Sequence, residues 1–372
     1  MKKGWTYKKL GEVADVVHGK NQKDVLSDNG KYPIYGSGGN IMGYADDYLC
    51  EAGTTILGRK GSINNPQFIE ERFWNVDTAF GISAKEGNDS KFIYYFITSI
   101  DWLKKNTGTT LPSLTQQVVK SVELPVPLLK EQKRIVERLD AAFAQIDELK
   151  ANAEKQLAEA RALFQKSLAK AMEPKEGWEE KKLKDIAQVR IGPFGSLLHK
   201  KDYITGGIPL VNPIHMIGGR IVKNNDFTIS NEKASELLNY LLKENDVVFA
   251  RRGEVGRCAI VSKDEEGFLC GTGSLFVRFK TKVNCRFMLM LFQSGNCKEY
   301  LDSNASGATM LNINAGIVEN MPIVLPSFSE QQRIVERLDS ISENVRKYED
   351  IQRKIIAECD ALKQALLRQV FE

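Results

Sequence analysis

Two short stretches carry the chemistry that is easiest to name. Gly58-Arg59-Lys60-Gly61-Ser62 and Ala250-Arg251-Arg252-Gly253-Glu254-Val255-Gly256-Arg257 each follow a β-favouring run and set adjacent cations beside glycine. Arginine presents a planar fork that reaches phosphate oxygens, or the O6 and N7 acceptors of guanine, through two hydrogen bonds, and glycine lets the backbone approach closely. Lys104-Lys105-Asn106-Thr107-Gly108-Thr109-Thr110 adds a basic loop whose hydroxyls suit phosphate oxygens. Gly195-Ser196-Leu197-Leu198-His199-Lys200-Lys201 reads as a comparable loop in the second half. The candidate anion-contacting residues are therefore Arg59, Lys60, Lys104, Lys105, Thr109, Lys200, Lys201, Arg251, Arg252 and Arg257. Any one loop reads equally well as a solvated turn, and recurrence at matching places favours function.

Catalytic chemistry finds no comparable footing. There is no Gly-x-x-x-x-Gly-Lys-[Ser/Thr] loop. Tyr35-Gly36-Ser37-Gly38-Gly39-Asn40 lacks the Gly-x-Gly-x-x-Gly spacing and a downstream acidic partner, and reads as a loop. Asn65-Pro66-Gln67-Phe68 only superficially matches the Asn-Pro-Pro-aromatic motif of amino-methyltransferases. Glu148-Leu149-Lys150 has a nuclease-like Glu-x-Lys spacing, but it sits in a helical stretch with no Pro-Asp nearby and reads as a solvated helix face. His18, His199 and His215 show no ligand spacing, and the first two read as loop residues. Cys50, Cys258, Cys270, Cys285, Cys297 and Cys359 are scattered singly, which predicts reduced thiols rather than a zinc site or disulfide framework. No catalytic residue and no metal site is expected.

Composition sets the frame for those loops. With 372 residues, 42% hydrophobic and 27% charged, the chain predicts two or three globular units and excludes collagen-like or disordered classes. No apolar run approaches the ~20 residues of a membrane span, and the basic start has no apolar stretch behind it, so no secretory signal is expected. The expected location is the cytoplasm. A net charge of +4 is too mild to diagnose a nucleic-acid partner, so any anion-binding surface must come from local clustering.

The positioning elements follow from an internal duplication. Glu131-Gln132-Lys133-Arg134-Ile135-Val136-Glu137-Arg138-Leu139-Asp140 returns as Glu330-Gln331-Gln332-Arg333-Ile334-Val335-Glu336-Arg337-Leu338-Asp339, nine of ten positions identical at an offset of 199. Thr107-Gly108-Thr109-Thr110-Leu111-Pro112-Ser113-Leu114 faces Ser306-Gly307-Ala308-Thr309-Met310-Leu311-Asn312-Ile313 at the same offset. Arg59-Lys60-Gly61 meets Arg251-Arg252-Gly253 at 192, and the segment from Trp5 to Ala14 meets that from Trp178 to Ala187 at 173. Each half thus reads as a variable α+β domain followed by a near-invariant tail. The tails lack Pro and Gly from 131 to 172 and from 330 to 372 and predict two long helices. Apolar residues step four and three through Ile334, Leu338, Ile341, Val345 and, past Gln352, Leu362, and through Ile135, Leu139, Ile146 and Leu149. Such a seam predicts helices roughly 60 Å long that pair with each other. Each helix packing only on its own domain is the alternative.

At this point the residues resemble a family. Trp5 to Leu10 and Trp178 to Leu183 open each half as Trp-x-x-x-x-Leu, and each half closes on Pro-x-x-x-Glu-Gln-[Lys/Gln]-Arg-Ile-Val-Glu-Arg-Leu-Asp. Together with Gly108-Thr109-Thr110-Leu111-Pro112-Ser113-Leu114, these motifs make the chain similar to the specificity subunit of Type I restriction–modification systems across essentially its whole length. The second copy of that segment departs from the pattern, so Pro112 is not duplicated. The resemblance implies an α+β protein with two target-recognition domains in pseudo-twofold arrangement, separated by a long antiparallel two-helix coiled coil. The expected boundaries are 1–126 and 174–325 for the domains, and 127–173 and 326–372 for the helices. It implies a non-catalytic reader of a bipartite asymmetric site in double-stranded DNA. The helices would set the spacer and dock two methyltransferase subunits, with motor-nuclease subunits joining them. S-adenosylmethionine, ATP and Mg would belong to those partners, and this chain would carry no cofactor. A coiled-coil scaffold that does not bind DNA is the main alternative. A fused methyltransferase is a second, for which the duplication leaves no room.

Overall fold

Thr54–Gly58 is buried along its whole length, so it cannot be the half-wetted strand of a one-sided sheet and needs cover on both faces. It pairs antiparallel with Gln67–Ile69 and with Ala79–Ala84, and Ala14–His18 completes the sheet beyond Ala79–Ala84. Alternation sends Ile56 to a core with Ile34, Phe73 and Trp74. It sends Leu57 to another with Phe80, Ile82 and helix residues Phe92, Ile93 and Phe96. The computed structural model describes residues 4–307 and 311–372. Residues 1–3 of the basic start and residues 308–310 of the second Ser-Gly segment lie outside the described residues. The described chain forms two compact units, Met1–Gln156 with Ile351–Glu372, and Leu157–Asp350.

The second unit repeats the plan with different side chains. Val247–Ala250 is its fully buried strand, and the strand order 187–191, 274–279, 247–250, 258–260 reproduces 14–18, 79–84, 54–58, 67–69. Even the smaller sheets share a parallel pairing, Ile34 with Trp74 and Leu210 with Leu269. Helices Ser90–Ser99 and Cys285–Phe292 start at Asp89 and Asn284, whose side chains each accept the backbone N–H three residues on at 3.0 Å.

The opening tryptophan motifs are explained by what they pair with. Thr6–Lys9 runs antiparallel to Glu123–Val126, and Glu179–Lys182 to Pro322–Leu325. Leu10 and Leu183 follow fully buried, their amides donating to Val122 O at 2.7 Å and Met321 O at 3.1 Å. The start of each domain is thereby fastened to the strand that leads into its long helix.

Those helices are Leu129–Ala171 and Phe328–Phe371. Ile135, Val136 and Leu139 enter the core of the first unit, where Leu367 and Phe371 join them. Ile334, Val335 and Leu338 enter the core of the second, joined by Leu168 and Met172. Phe371 lies 5.2 Å from Phe92 and 5.6 Å from Phe96, ring centre to ring centre. Each core is thus closed by the start of its own helix and the end of the other copy's helix. The pairs Lys150–Asp360 at 2.7 Å and Asp147–Lys363 in one unit, and Arg161–Glu349 at 2.8 Å in the other, climb one helix as they descend its partner. The pairing is antiparallel.

Two expected seam residues need correcting. Ile135, Leu139, Ile146, Ile334 and Leu338 are buried, and Ile341 and Val345 are half-buried, but Leu149 and Leu362 are 52% and 50% exposed. The inward stripe runs instead through Phe143, Ile146, Lys150, Ala153 and Leu157, and through Gln352, Ile356, Cys359 and Lys363. Both stripes keep the four-three step of a paired helix, one position on from Leu149 and from Leu362, so the spacing holds and only the phase differs. Lys150 and Lys363 occupy the inner positions because their aliphatic stems cover the seam while the ammonium groups reach Asp360 and Asp147.

Candidate nucleic-acid interface

The basic loop and the Thr-Gly segment, separate in the sequence, are one structure. At the end of strand Thr54–Gly58, the Arg59 amide donates to Thr78 O at 2.8 Å and its carbonyl accepts from Leu114 N at 2.9 Å. Gly61 N donates to Pro112 O at 2.9 Å, and Lys60 bridges to Ser113. The second unit repeats this ladder. Arg251 N donates to Gly273 O at 3.0 Å, Ile313 N to Arg251 O at 2.9 Å and Gly253 N to Leu311 O at 3.2 Å, with Arg252 bridged to Asn312. Gly61 and Gly253 take φ of +79° and +78°, a conformation that side chains resist and that turns the loop back over the ladder. Thr107 N to Ser113 O and Ser306 N to Asn312 O then close equivalent turns at 2.9 and 3.0 Å.

Neighbouring loops crowd the same end of each sheet. Gly19 N donates to Ala79 O and Gly192 N to Ser274 O, both at 3.0 Å. A Cβ at Gly19 would collide with the Val76 carbonyl, and one at Gly192 with that of Gly271. Glycine is required there by close approach. Phe194, 59% exposed just past Gly192, is an aromatic that the charge-based reading missed; an aromatic between glycines was its signal. Asn312 was missed as a polar residue of the ladder, although the offset of 199 pairs it with Ser113.

The charged candidates divide by what already holds them. Lys60, Arg252, Lys105, Thr109, Lys200 and Lys201 are exposed. Lys104 is exposed beside Asp101 at 3.8 Å, an ion pair too solvated to fix it. The Arg59 Nε donates to Asp77 O at 3.0 Å. Arg257 is held by Glu254 and by Pro213 O at 3.2 Å, so it braces its loop. Burial first, and then neighbouring Arg252, hold the Arg251 guanidinium below its ordinary value. Lys200 and Lys201 do not occupy the place of Lys104 and Lys105: they follow strand Ala187–Ile191, so their topological counterpart is the stretch after Ala14–His18 that holds Lys20 and Lys23. His18 itself ends that strand rather than a loop, 4.9 Å from the Phe80 ring.

The ten-residue motif splits into an inner and an outer set. Gln132 and Gln331 are buried; their Oε1 atoms accept from Asp89 N and Asn284 N at 2.8 and 2.9 Å, and their amides donate to Pro127 O and Pro326 O at 3.0 Å. Asp140 takes Lys91 at 3.1 Å and also the Tyr95 hydroxyl, while Asp339 takes Arg286 at 3.0 Å. Glu137, Arg138, Glu336 and Arg337 are exposed and repeated identically. All six cysteines are free thiols, and burial pushes Cys258 up to about 12 and Cys297 up to about 11. Among the described residues, no helix is long and apolar enough to cross a membrane.

Comparison with known proteins agrees with this geometry. The family model for the Type I restriction modification DNA specificity domain matches residues 2–159 and 175–356. The Haemophilus influenzae chain named type I restriction enzyme specificity subunit S.HindORF215P is 25% identical over 345 residues, 90% of this chain and 86% of that one. The EcoBI specificity subunit of Escherichia coli is 22% identical over 348 residues, 85% of this chain and 72% of that one. A solved chain of a type I R-M system superposes with a TM-score of 0.78 at 19% identity, covering 99% of this chain and 98% of that one. None of these likenesses supports a coiled-coil scaffold that does not bind DNA.

Proposed function

Because the chain belongs to the Type I restriction–modification DNA specificity family, with both repeats matched, we propose that it reads a bipartite asymmetric DNA site, one half per recognition domain. The observation that carries this reading is the duplicated ladder: Arg59-Lys60-Gly61 on 112–114 and Arg251-Arg252-Gly253 on 311–313. Exposed Lys60, Lys105, Lys200, Lys201 and Arg252 contact phosphates and set register, while other side chains of each domain meet base edges. The long helices set the spacer between half-sites. Their outward Glu137, Arg138, Glu336 and Arg337 offer the same charge pattern twice, which suits two equal methyltransferase subunits; motor-nuclease subunits join that complex. The chain is itself non-catalytic and works in the cytoplasm of a prokaryote. S-adenosylmethionine, ATP and Mg act on the partner subunits.

Salt titration tests the phosphate interactions. Removing one cation that neutralises a phosphate lowers the slope of log affinity against log salt by about one unit. Lys60→Ala and Arg252→Ala should each show that decrease, measured on the full chain assembled with its methyltransferase. Slopes equal to wild type for both would dismiss these loops as the DNA footprint.

A further inference from the structure

The two ladders are alike in backbone and unlike in one nitrogen. In the first unit, the Arg59 Nε is occupied by Asp77 O at 3.0 Å. In the second, the Arg251 Nε is buried and has no hydrogen-bond partner among the described residues. The Oδ1 of Asn312 and the Oγ of Ser274 share that state. All three sit on one ladder: Ile313 N donates to Arg251 O at 2.9 Å, Arg252 bridges Asn312, and Ser274 is registered with Ala250. Buried donors and acceptors are ordinarily satisfied, and those left open are costly in the absence of a partner. An orphan donor and an orphan acceptor on one basic loop point to a ligand that offers both, as a G·C pair does in the major groove through guanine O6 and N7 and the cytosine amino group.

We infer that Arg251 is a specificity-determining residue of the second recognition domain that reads the acceptor edge of a guanine, while its counterpart Arg59 is a latch on its own domain. This rests on the DNA-reading function proposed above. A phosphate needs only a charge nearby, which exposed Arg252 supplies. A partly buried fork, with its Nε already stripped of water and its backbone clamped at both N–H and C=O, is suited to a planar partner with two acceptors at fixed spacing, as guanine O6 and N7 provide. Ser113 and Ala79, the first-unit counterparts of Asn312 and Ser274, leave no such orphan beside Arg59.

Arginine-to-lysine exchange separates the two roles, because lysine keeps the charge and loses the fork. The full chain, assembled with its methyltransferase, selects from a pool of randomised double-stranded DNA, as wild type, Arg251→Lys and Arg59→Lys. The expected result for Arg251→Lys is loss of a guanine preference at one position of one half-site, by about tenfold. The other half-site and the salt slope should be unchanged, and Arg59→Lys should select the wild-type sequence in both halves. The intact half-site shows within the same chain that the variant is folded. Undiminished guanine preference in Arg251→Lys would overturn the inference and leave Arg251 a phosphate contact. Loss of both half-sites would overturn it in favour of a structural role, and an equal loss from Arg59→Lys would overturn the asymmetry. Wild type selecting no sequence at all would sink the DNA-reading function itself, and this inference with it.

Discussion

Gln132 and Gln331 show how much of a repeated motif serves the fold rather than a partner. Each amide bonds the carbonyl of the proline before its long helix, and each Oε1 takes the amide that begins the neighbouring short helix. Gln331→Ala leaves the Asn284 N–H and the Pro326 carbonyl without their partner inside the protein. The expected loss is about 1–3 kcal/mol in the denaturant unfolding of the second unit. Glu336→Ala, which removes an outward carboxylate, should stay within about 0.5 kcal/mol. Equal effects would mean that the inner and outer sets are not distinct. Nine identities in ten marked the motif as important, but a string of letters does not say which letters face inward until the helix phase is fixed. Arg59, Arg251 and Arg257 were equally visible as cations, yet Asp77 O takes the Arg59 Nε, Glu254 holds Arg257, and the Arg251 Nε has no partner among the described residues, differences set by loop geometry.

The long helices were legible from the absence of Pro and Gly, and the central strands from their β-branched and aromatic runs. What the heptad reading missed was phase. Leu139 and Leu338 are buried in the two cores, whereas Leu149 and Leu362 are half exposed. Truncating either of the first two to Ala should cost about 2–5 kcal/mol. Truncating either of the second two should cost within about 0.5 kcal/mol, as read from urea unfolding of the free chain. A large loss at Leu149 would move the seam back onto Leu149. Nor does periodicity reveal that Phe371 and Met172 finish the cores of the domains they do not follow, since a pattern of apolar spacing carries no information about distant partners. The helices also carry the proposed ruler. Matched seven-residue insertions after Gln156 and after Asp350 preserve the heptad phase and add about 10 Å of rise. The expected outcome is a spacer longer by about three base pairs at ~3.4 Å each, with both half-sites unchanged in methylation-site mapping. An unchanged spacer would remove the helices from that role.

At the scale of the whole chain, duplication is what made the function readable. Two domains with the same strand order present the same ladder from different side chains, so the scaffold repeats while the recognising surface diverges. Which bases are read was not legible, because charge does not give a loop's place: Lys200 and Lys201 read as a loop comparable to that of Lys104 and Lys105, yet share no topological position with it. Loop placement is a tertiary property. The central claim, two independent readers on one frame, is tested most directly by exchanging residues 174–325 for the corresponding segment of a relative and mapping methylated sites after co-expression with the methyltransferase. The account predicts that one half of the target changes and the other half, with the spacer, stays as in wild type. A target altered in both halves, or in neither, would contradict it.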